Sequence, residues 1–287
     1  LGPVRITRPS APPPVPADMT RVSASQTQIP LNLLATGLDH STVKPCQNVE
    51  GHLFWEVAQP LDTVYTLHLR VGDEHCAQPL TPDFSPEDWQ AGDRFLTHFR
   101  LPIQCQAPDT EAPLEISLKV RGKDTAMATW IGPDVIIDFA RRFAPPGTMM
   151  PFSAAFGPDL TTLVGYQVEP GDIAANQPFT LTLYWRAEQV TPTPYSVFVH
   201  ITPPDAPGPV IAQDDSWPAQ GERATFTWIE GEIVTDAHPL PGLPGGRYSI
   251  RVGLYGLDGA RLPITTGDGP ASNDALILPI RLDVQTK

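Results

Sequence analysis

GHLFWEVAQ at residues 51–59 returns as LTLYWRAEQ at 181–189, and the segments that follow each copy keep matching positions. WQAGD at 89–93 is answered by WIEGE at 228–232. The tyrosine that comes ten residues after the tryptophan of each copy is Tyr65 or Tyr195. Internal repetition at a fixed spacing indicates that each copy is one foldable unit that buries its own hydrophobic face. The repeating unit is about 130 residues long, which is the size of a domain.

The composition and the turn spacing favour an all-β chain. The sequence has 35 Pro and 22 Gly but only 18% charged residues, and Pro and Gly separate short strands while they are costly inside helices. Runs of β-formers predict seven strands in repeat one, at 31–37, 50–57, 63–71, 75–79, 94–101, 114–120 and 134–139. The matching set in repeat two is 161–168, 178–187, 195–201, 209–213, 231–238, 247–255 and 275–284. The sequence therefore predicts two tandem immunoglobulin-like Greek-key β-sandwiches of about seven strands each.

Proline-rich segments mark the predicted boundaries. Residues 1–26 are predicted to be an N-terminal arm or linker, 27–143 the first sandwich, 144–154 a linker and 155–287 the second sandwich. An ordered Pro-rich arm needs a surface to lie against, which is either the protein itself or a partner. The start at Leu1 is compatible with the removal of an upstream signal or anchor, and equally with a chain trimmed for expression.

The net charge and the apolar runs exclude two classes of partner. The net charge of −13 repels nucleic acid, so nucleic-acid binding is not expected. No window approaches the 18 or more consecutive apolar residues of a membrane helix, so no membrane span is predicted in the chain.

All three cysteines fall in the first repeat. Cys46 is predicted in the loop between the first two strands, Cys76 after the third strand and Cys105 in the loop after the fifth. These places share one end of an immunoglobulin-like sandwich, so one disulfide with one thiol left over is compatible with the pattern, as are three free buried thiols. The pair Cys76 with Cys105 closes the shorter loop and is preferred. A disulfide would support an exported location.

The repeated tryptophans predict a structural scaffold. Trp55 and Trp185 are expected between the two sheets of each sandwich, while Trp89 and Trp228 are expected to close a sandwich edge before the next strand. The alternative for any exposed tryptophan, including Trp89, Trp130, Trp217 and Trp228, is a sugar-stacking platform. The candidate ligand-facing residues are Trp130, Trp217, Asp214 and Asp215.

No motif predicts catalysis, a cofactor or a metal ion. Acidic residues collect in repeat two at Asp214, Asp215, Glu230, Glu232 and Asp236, but they lack the D-x-D-x-D-G pattern of a calcium loop. The seven histidines form no H-E-x-x-H motif, and no G-x-S-x-G nucleophile elbow is present. The sequence therefore predicts no catalytic, cofactor-binding or metal-ligating residue and no enzyme activity.

Repeat two resembles a known domain in the segments FGPDLTTLVGYQV (156–168), YSVFVHITPPD (195–205), VIAQDDSWPAQG (210–221) and the run from WIEGE to ARLP (228–263). It is similar to the extracytoplasmic immunoglobulin-like β-sandwich domain found C-terminal to bacterial multi-span glycosyltransferases of the dolichyl-phosphate-mannose type. Repeat one resembles that domain more loosely. The resemblance implies an extracytoplasmic sandwich without catalytic residues of its own, and transferase activity does not carry over because the catalytic membrane part is missing from this sequence.

Two functions are expected from these observations. The first is a non-catalytic exported structural or interaction protein, an accessory subunit of an envelope membrane complex or cell-surface assembly, in the periplasm or at the cell surface. Its partners would be other protein subunits, bound through the Pro-rich arm and the sandwich edges. The alternative is a carbohydrate-binding accessory module of a cell-envelope glycosyltransferase system, with glycans as ligands.

Overall fold

The computed structural model describes residues 11–22, 29–61, 63–81, 86–204, 208–267, 269–270 and 275–285. The chain divides between Phe139 and Ala140 into two units, each with its own core. Almost all regular structure is β-strand, and the described helices are three single 3₁₀ turns. None of the described helices has the length and apolar character needed to cross a bilayer. The predicted all-β class is confirmed.

The first unit is a sandwich of a four-stranded and a five-stranded sheet. Its strands are β1 (Thr20–Arg21), β2 (Leu31–Leu38), β3 (Thr42–Val43), β4 (Asn48–Val57), β5 (Tyr65–Val71), β6 (Glu74–Pro79), β7 (Arg94–Pro102), β8 (Thr110–Val120) and β9 (Ala126–Ile137). One sheet has the order β1-β2-β4-β7 and the other β3-β9-β8-β5-β6. The seven predicted strands each overlap an observed strand, although β9 begins eight residues earlier than predicted and β1 and β3 are additional.

The second unit repeats this plan with one added ribbon. Its strands are β10 (Met150–Phe156), β11 (Thr161–Glu169), β12 (Phe179–Ala187), β13 (Ser196–Thr202), β14 (Ala212–Ser216), β15 (Ile233–Leu240), β16 (Gly246–Tyr255), β17 (Ile264–Thr266), β18 (Gly269–Pro270) and β19 (Leu276–Val284). The sheet orders are β15-β12-β11-β10-β17-β18 and β14-β13-β16-β19. The ribbon β17–β18 has no counterpart among the described strands of the first unit.

A fully buried tryptophan lies between the sheets of each unit, as predicted. Trp55 meets the ring of Trp130 edge-on at 5.3 Å between centroids, and Trp185 meets Phe156 edge-on at 5.0 Å. Alternation along β4 and β12 directs these rings inward. Trp130 is 3% exposed, so the prediction that it faces a ligand is wrong. Its strand β9 directs alternate side chains into the core, and position 130 is one of them.

The motif Trp-x-x-Gly-Asp/Glu builds the same turn in both units. The N–H of Gly92 donates to the Val57 carbonyl, and the Val57 N–H donates to the Asp93 carbonyl, each at 2.8 Å. Gly231, Ala187 and Glu232 make the equivalent pair of bonds at 2.8 and 2.9 Å. Both glycines have positive φ (87° and 79°), which other residues adopt at a cost. Trp89 and Trp228 are buried beside these turns, as predicted.

The described part of the Pro-rich arm, residues 11–22, and the C-terminal end of the predicted linker belong to the sandwiches. Thr20 of β1 pairs with Thr36, and Met150 of β10 pairs with Tyr166; both members of the second pair have residue numbers 130 higher. The turn before each strand also repeats, because the Met19 N–H donates to the Pro16 carbonyl (3.3 Å) and the Met149 N–H to that of Pro146 (3.4 Å).

Two predicted boundaries are therefore corrected. The linker predicted at 144–154 runs into β10, which is a central strand of its sheet. Within the arm predicted at 1–26, residues 11–22 are described, and they contact their own sandwich: the Arg94 guanidinium donates to the Pro13 carbonyl at 2.9 Å and the Val22 N–H to that of Leu34 at 3.1 Å. Residues 1–10 and 23–26 of the predicted arm lie outside the described residues.

The disulfide joins Cys46 to Cys105, and the predicted pair of Cys76 with Cys105 is wrong. Asn48, the first residue of β4, pairs with Pro102, the last residue of β7, so the loops beyond these strand ends lie side by side. Cys76 instead lies within β6, in the other sheet, where its thiol donates to the Arg100 carbonyl (3.4 Å). Burial raises the pKa of this free thiol.

Candidate functional site

A buried chain of ionisable groups closes one side of the second sandwich. There β14 and β15 are edge strands of opposite sheets. His238 of β15 lies between two carboxylates: its Nδ1 is 2.7 Å from Asp214 Oδ2 on β14, and its Nε2 is 2.9 Å from Asp236 Oδ2. The side chains of His238 and Asp236 are fully buried. The imidazole therefore connects the two sheets.

Asp236 also organises the loop after β14. One oxygen accepts from the Trp185 indole N–H at 3.0 Å, and the other accepts from the Ala219 N–H at 2.8 Å. Ala219 and Gln220 both have left-handed backbones, with φ of 53° and 54°. Non-glycine residues adopt that conformation at an energetic cost, which surrounding contacts must offset. The bond from the Ala219 N–H to Asp236, and that from the Gln220 amide to Asp214 (3.1 Å), supply such contacts.

The carboxylates favour the charged form of His238. Burial lowers its pKa, but the hydrogen bonds and negative charges of Asp236 and Asp214 together outweigh that effect and raise the pKa above the ordinary value of 6.5. Both ring nitrogens face carboxylate oxygens, so in this arrangement neither is directed toward a substrate. The network joins three structural elements, which are β14, β15 and the loop between them.

A second buried charge cluster surrounds Glu232 in the same unit. Arg141 donates to one of its oxygens at 2.5 Å and also to the Thr227 carbonyl at 3.0 Å, while Arg223 donates to the other oxygen. The Trp228 indole N–H donates to the Arg223 carbonyl at 2.7 Å. Glu232 belongs to the Trp-x-x-Gly-Glu turn, so the repeated acidic position becomes the centre of a two-arginine clamp. The clamp fixes the segment before β10 against the turn before β15.

The loop organised by Asp236 presents an exposed tryptophan. Trp217 is 38% exposed, whereas the other five tryptophans are buried. Its ring meets Phe226 edge-on at 6.2 Å between centroids, and its carbonyl accepts from the Gly221 N–H at 3.0 Å. Trp217 is thus a rigidly supported aromatic surface, and it is the one predicted ligand-facing tryptophan that lies at the surface.

The predicted ligand-facing carboxylates divide between two environments. Asp214 is directed to His238 and is a member of the buried network. Asp215, the next residue, points to the opposite face of β14, where it is exposed and lies 3.2 Å from His200 Nε2. The predicted acidic group of repeat two therefore does not form one site.

The first unit has a cleft and a cluster of potential ligand groups that the sequence did not predict. The cleft, of about 260 Å³, is lined by residues that include Tyr65, Gln78, Trp89 and Arg121. Elsewhere on this unit, carboxylate or imidazole atoms of Asp39, Glu50 and His98 all lie within 4.8 Å of one another. Because these residues come from three segments, only the strand register brings them together.

Comparisons with known proteins do not identify the chain. No protein-family model and no curated protein matches it. Among solved structures, it has a similarity to a transglutaminase from red sea bream, at 10% identity and a TM-score of 0.26, over 92% of this chain and 32% of that chain. The chain spans about a third of the length of that transglutaminase, and a TM-score this low does not establish a shared fold. The resemblance to a glycosyltransferase-associated domain stays a prediction.

Proposed function

We propose that this chain is a non-catalytic interaction protein of an extracytoplasmic compartment, and that it binds a partner protein through the loop that carries Trp217. In this proposal it serves as a structural or accessory subunit of an envelope complex or cell-surface assembly. The observation that carries the proposal is a single exposed tryptophan on a loop whose strained backbone is held by a hydrogen bond to the buried Asp236.

A rigid aromatic surface suits protein recognition for two reasons. Tryptophan supplies a large contact area with few rotatable bonds, so little conformational entropy is lost when it is buried in a complex, and it is enriched among the residues that dominate interface energies. The anchor of Ala219 to Asp236 orders the loop before binding, which reduces the cost of association.

The disulfide supports the extracytoplasmic part of the proposal. Cys46 and Cys105 are 59 residues apart in sequence, and disulfides persist mainly in oxidising compartments. Peptide mapping without reduction, after thiols are blocked in intact native cells, is expected to recover the linked peptides and a blocked Cys76. Recovery of three blocked thiols would contradict the assigned compartment.

The binding proposal is tested by site-specific photo-crosslinking in native cells. A photoreactive phenylalanine analogue is placed at Trp217, and the matched control carries it at Leu257, which is 79% exposed and belongs to the same unit. We expect position 217 to give a protein adduct of defined mass that position 257 does not give. Equal labelling at both positions, or no adduct at 217, would contradict a partner-binding loop.

A carbohydrate-binding function is the second candidate. The exposed Trp217 ring is flanked in sequence by exposed polar side chains, Asp215 and Gln220, and sugar sites combine an aromatic platform with such groups. A glycan array with the native chain and with W217A distinguishes the two functions. Binding that W217A abolishes would favour the glycan, whereas no binding above background removes this candidate.

A further inference from the structure

We propose that the outer face of the first sandwich carries a binding site for a divalent transition-metal ion such as Zn²⁺, with the ligands Asp39, Glu50, His52 and His98. This site is independent of the Trp217 loop. Imidazole and carboxylate together are ligands that zinc accepts in proteins, usually four around one ion.

The strand register places the four side chains on one surface. His52 of β4 lies opposite His98 of β7, and their rings are 5.1 Å apart between centroids. Glu50 is two residues before His52 and so shares its face of the sheet. Asp39 follows β2, and its N–H donates to the Glu50 carbonyl at 3.0 Å.

Three of the four side chains already bring ligand atoms close together, and His52 adjoins them through Asp39. His52 Nδ1 is 3.7 Å from Asp39 Oδ1, and ligand atoms of Asp39, Glu50 and His98 are all within 4.8 Å of one another. Bonds to zinc are about 2.0–2.2 Å, which sets tetrahedral ligand atoms about 3.3–3.6 Å apart. The side chains of Asp39 and His52 are each more than two-fifths exposed, so they can rotate inward without disturbing the core.

Arg100 supplies an outer partner for one of the carboxylates. Its Nε lies 2.6 Å from Glu50 Oε1, which leaves the second oxygen of Glu50 for the ion. Metal-bound carboxylates are commonly oriented by such hydrogen bonds.

The second sandwich shows that the shared sandwich fold forms without these four residues. By register, the positions of Asp39, Glu50, His52 and His98 correspond to Glu169, Thr180, Thr182 and Ala237. The same frame therefore forms with no histidine at either position. This makes H52T/H98A a substitution that the frame already tolerates.

Titration calorimetry of the untagged, oxidised full chain with ZnCl₂ tests the proposal. We expect the native chain to bind one equivalent of Zn²⁺, and H52T/H98A to lose saturable binding while its thermal unfolding midpoint is unchanged. The matched control is H75A, which removes an exposed histidine whose Nδ1 contacts the Asp73 carbonyl at 3.1 Å, and it should bind like the native chain.

Cobalt absorption separates this site from the free thiol of Cys76. Co²⁺ on imidazole and carboxylate ligands gives visible bands without the near-ultraviolet charge-transfer band of a thiolate ligand. We expect that thiolate-free spectrum from the native chain and its loss in H52T/H98A. Absence of saturable Zn²⁺ binding, equal binding by H52T/H98A, or a thiolate spectrum would overturn the proposal.

Discussion

Three equivalent strand positions lie where the edge strands of the two sheets meet in each sandwich, and the two units fill them with different residues. They are Cys76, Thr97 and Phe99 in the first unit, and Asp214, Asp236 and His238 in the second. In the first unit Thr97 donates to the Leu80 carbonyl at 2.8 Å, and Cys76 to that of Arg100 at 3.4 Å. In the second unit ionisable side chains bridge the same gap.

The central tryptophans of the two units also differ in their hydrogen bonding. Trp185 donates to Asp236, whereas the indole N–H of Trp55 has no hydrogen-bond acceptor among the described residues. Since the first sandwich forms with neutral groups, the frame does not require the charges of the second. What the charges add is the fixed left-handed loop that presents Trp217, whose equivalent in the first unit is Pro79.

At the disulfide it is the first unit that has the stronger link, because its covalent bond is replaced by a hydrogen bond in the second unit. Cys46 and its equivalent Asn176 occupy the same left-handed turn position, with φ of 68° and 61°. The first unit joins this turn to the loop after β7 through the bond to Cys105. The second unit joins it through the Asn176 N–H, which donates to the Leu243 carbonyl at 2.7 Å. A covalent link and a backbone hydrogen bond thus hold equivalent loops.

The largest effect is expected from D236L. Loss of the Asp236 carboxylate leaves the Trp185 indole N–H, the Ala219 N–H and Nε2 of His238 without a partner. Removal of one partner of a buried charged pair costs about 3–5 kcal/mol. The matched change T97V in the first unit should cost only about 1 kcal/mol. Urea unfolding followed by hydrogen exchange of peptides from each unit measures both values. Similar losses in the free energy of unfolding for D236L and T97V would contradict a stronger contribution from the charged residues of the second unit.

Removal of the disulfide should produce the next largest effect, confined to the first unit. C46A/C105A releases a loop of roughly 60 residues, and such links typically contribute about 2–4 kcal/mol. The same exchange measurement should find peptides of the second unit unchanged, because its turn relies on the Asn176 hydrogen bond. Equal destabilisation of both units would contradict an effect confined to the first unit.

The pH dependence of stability should also distinguish the units. The folded pKa of His238 lies above its unfolded value near 6.5, so the stabilisation from protonated His238 is fully present below pH 6.5 and is lost as pH rises through the folded pKa. The second unit is therefore expected to weaken over that range.

The graft D214C/D236T/H238F is the control for this pH effect. It installs the three residues of the first unit, and replacement of a whole buried charged group by neutral residues of similar volume is often tolerated. The graft should fold, should lose the His238-dependent slope, and should exchange faster at residues 217–222. A slope that persists in the graft would assign the pH effect to another group.

The main strands and turns of both sandwiches could be predicted from the sequence because local residue patterns determine them. The alternation around Trp55 and Trp185, and the Gly of each Trp-x-x-Gly turn, are readable from neighbouring residues alone. β1 and β10 were not predicted as strands, because Pro-rich composition masks strands whose pairing partners are set by the sheet.

The networks were beyond sequence reasoning for a different reason. His238 and Asp214 are joined only where edge strands of two sheets meet, and His52 meets His98 only through the register of β4 with β7. Alignment of the two repeats position by position supplies one usable signal. It shows that ionisable residues in one copy replace neutral residues in the other.

The titration of His238 by ¹⁵N NMR tests most directly whether a charged imidazole joins the two edge strands of the second sandwich. Ring signals are assigned with H238F and followed in the full chain from acidic to alkaline pH. We predict that both ring nitrogens carry protons at pH 6.5 and that the imidazole loses its charge only at a higher pH. A neutral imidazole at pH 6.5, with one nitrogen unprotonated, would contradict the account.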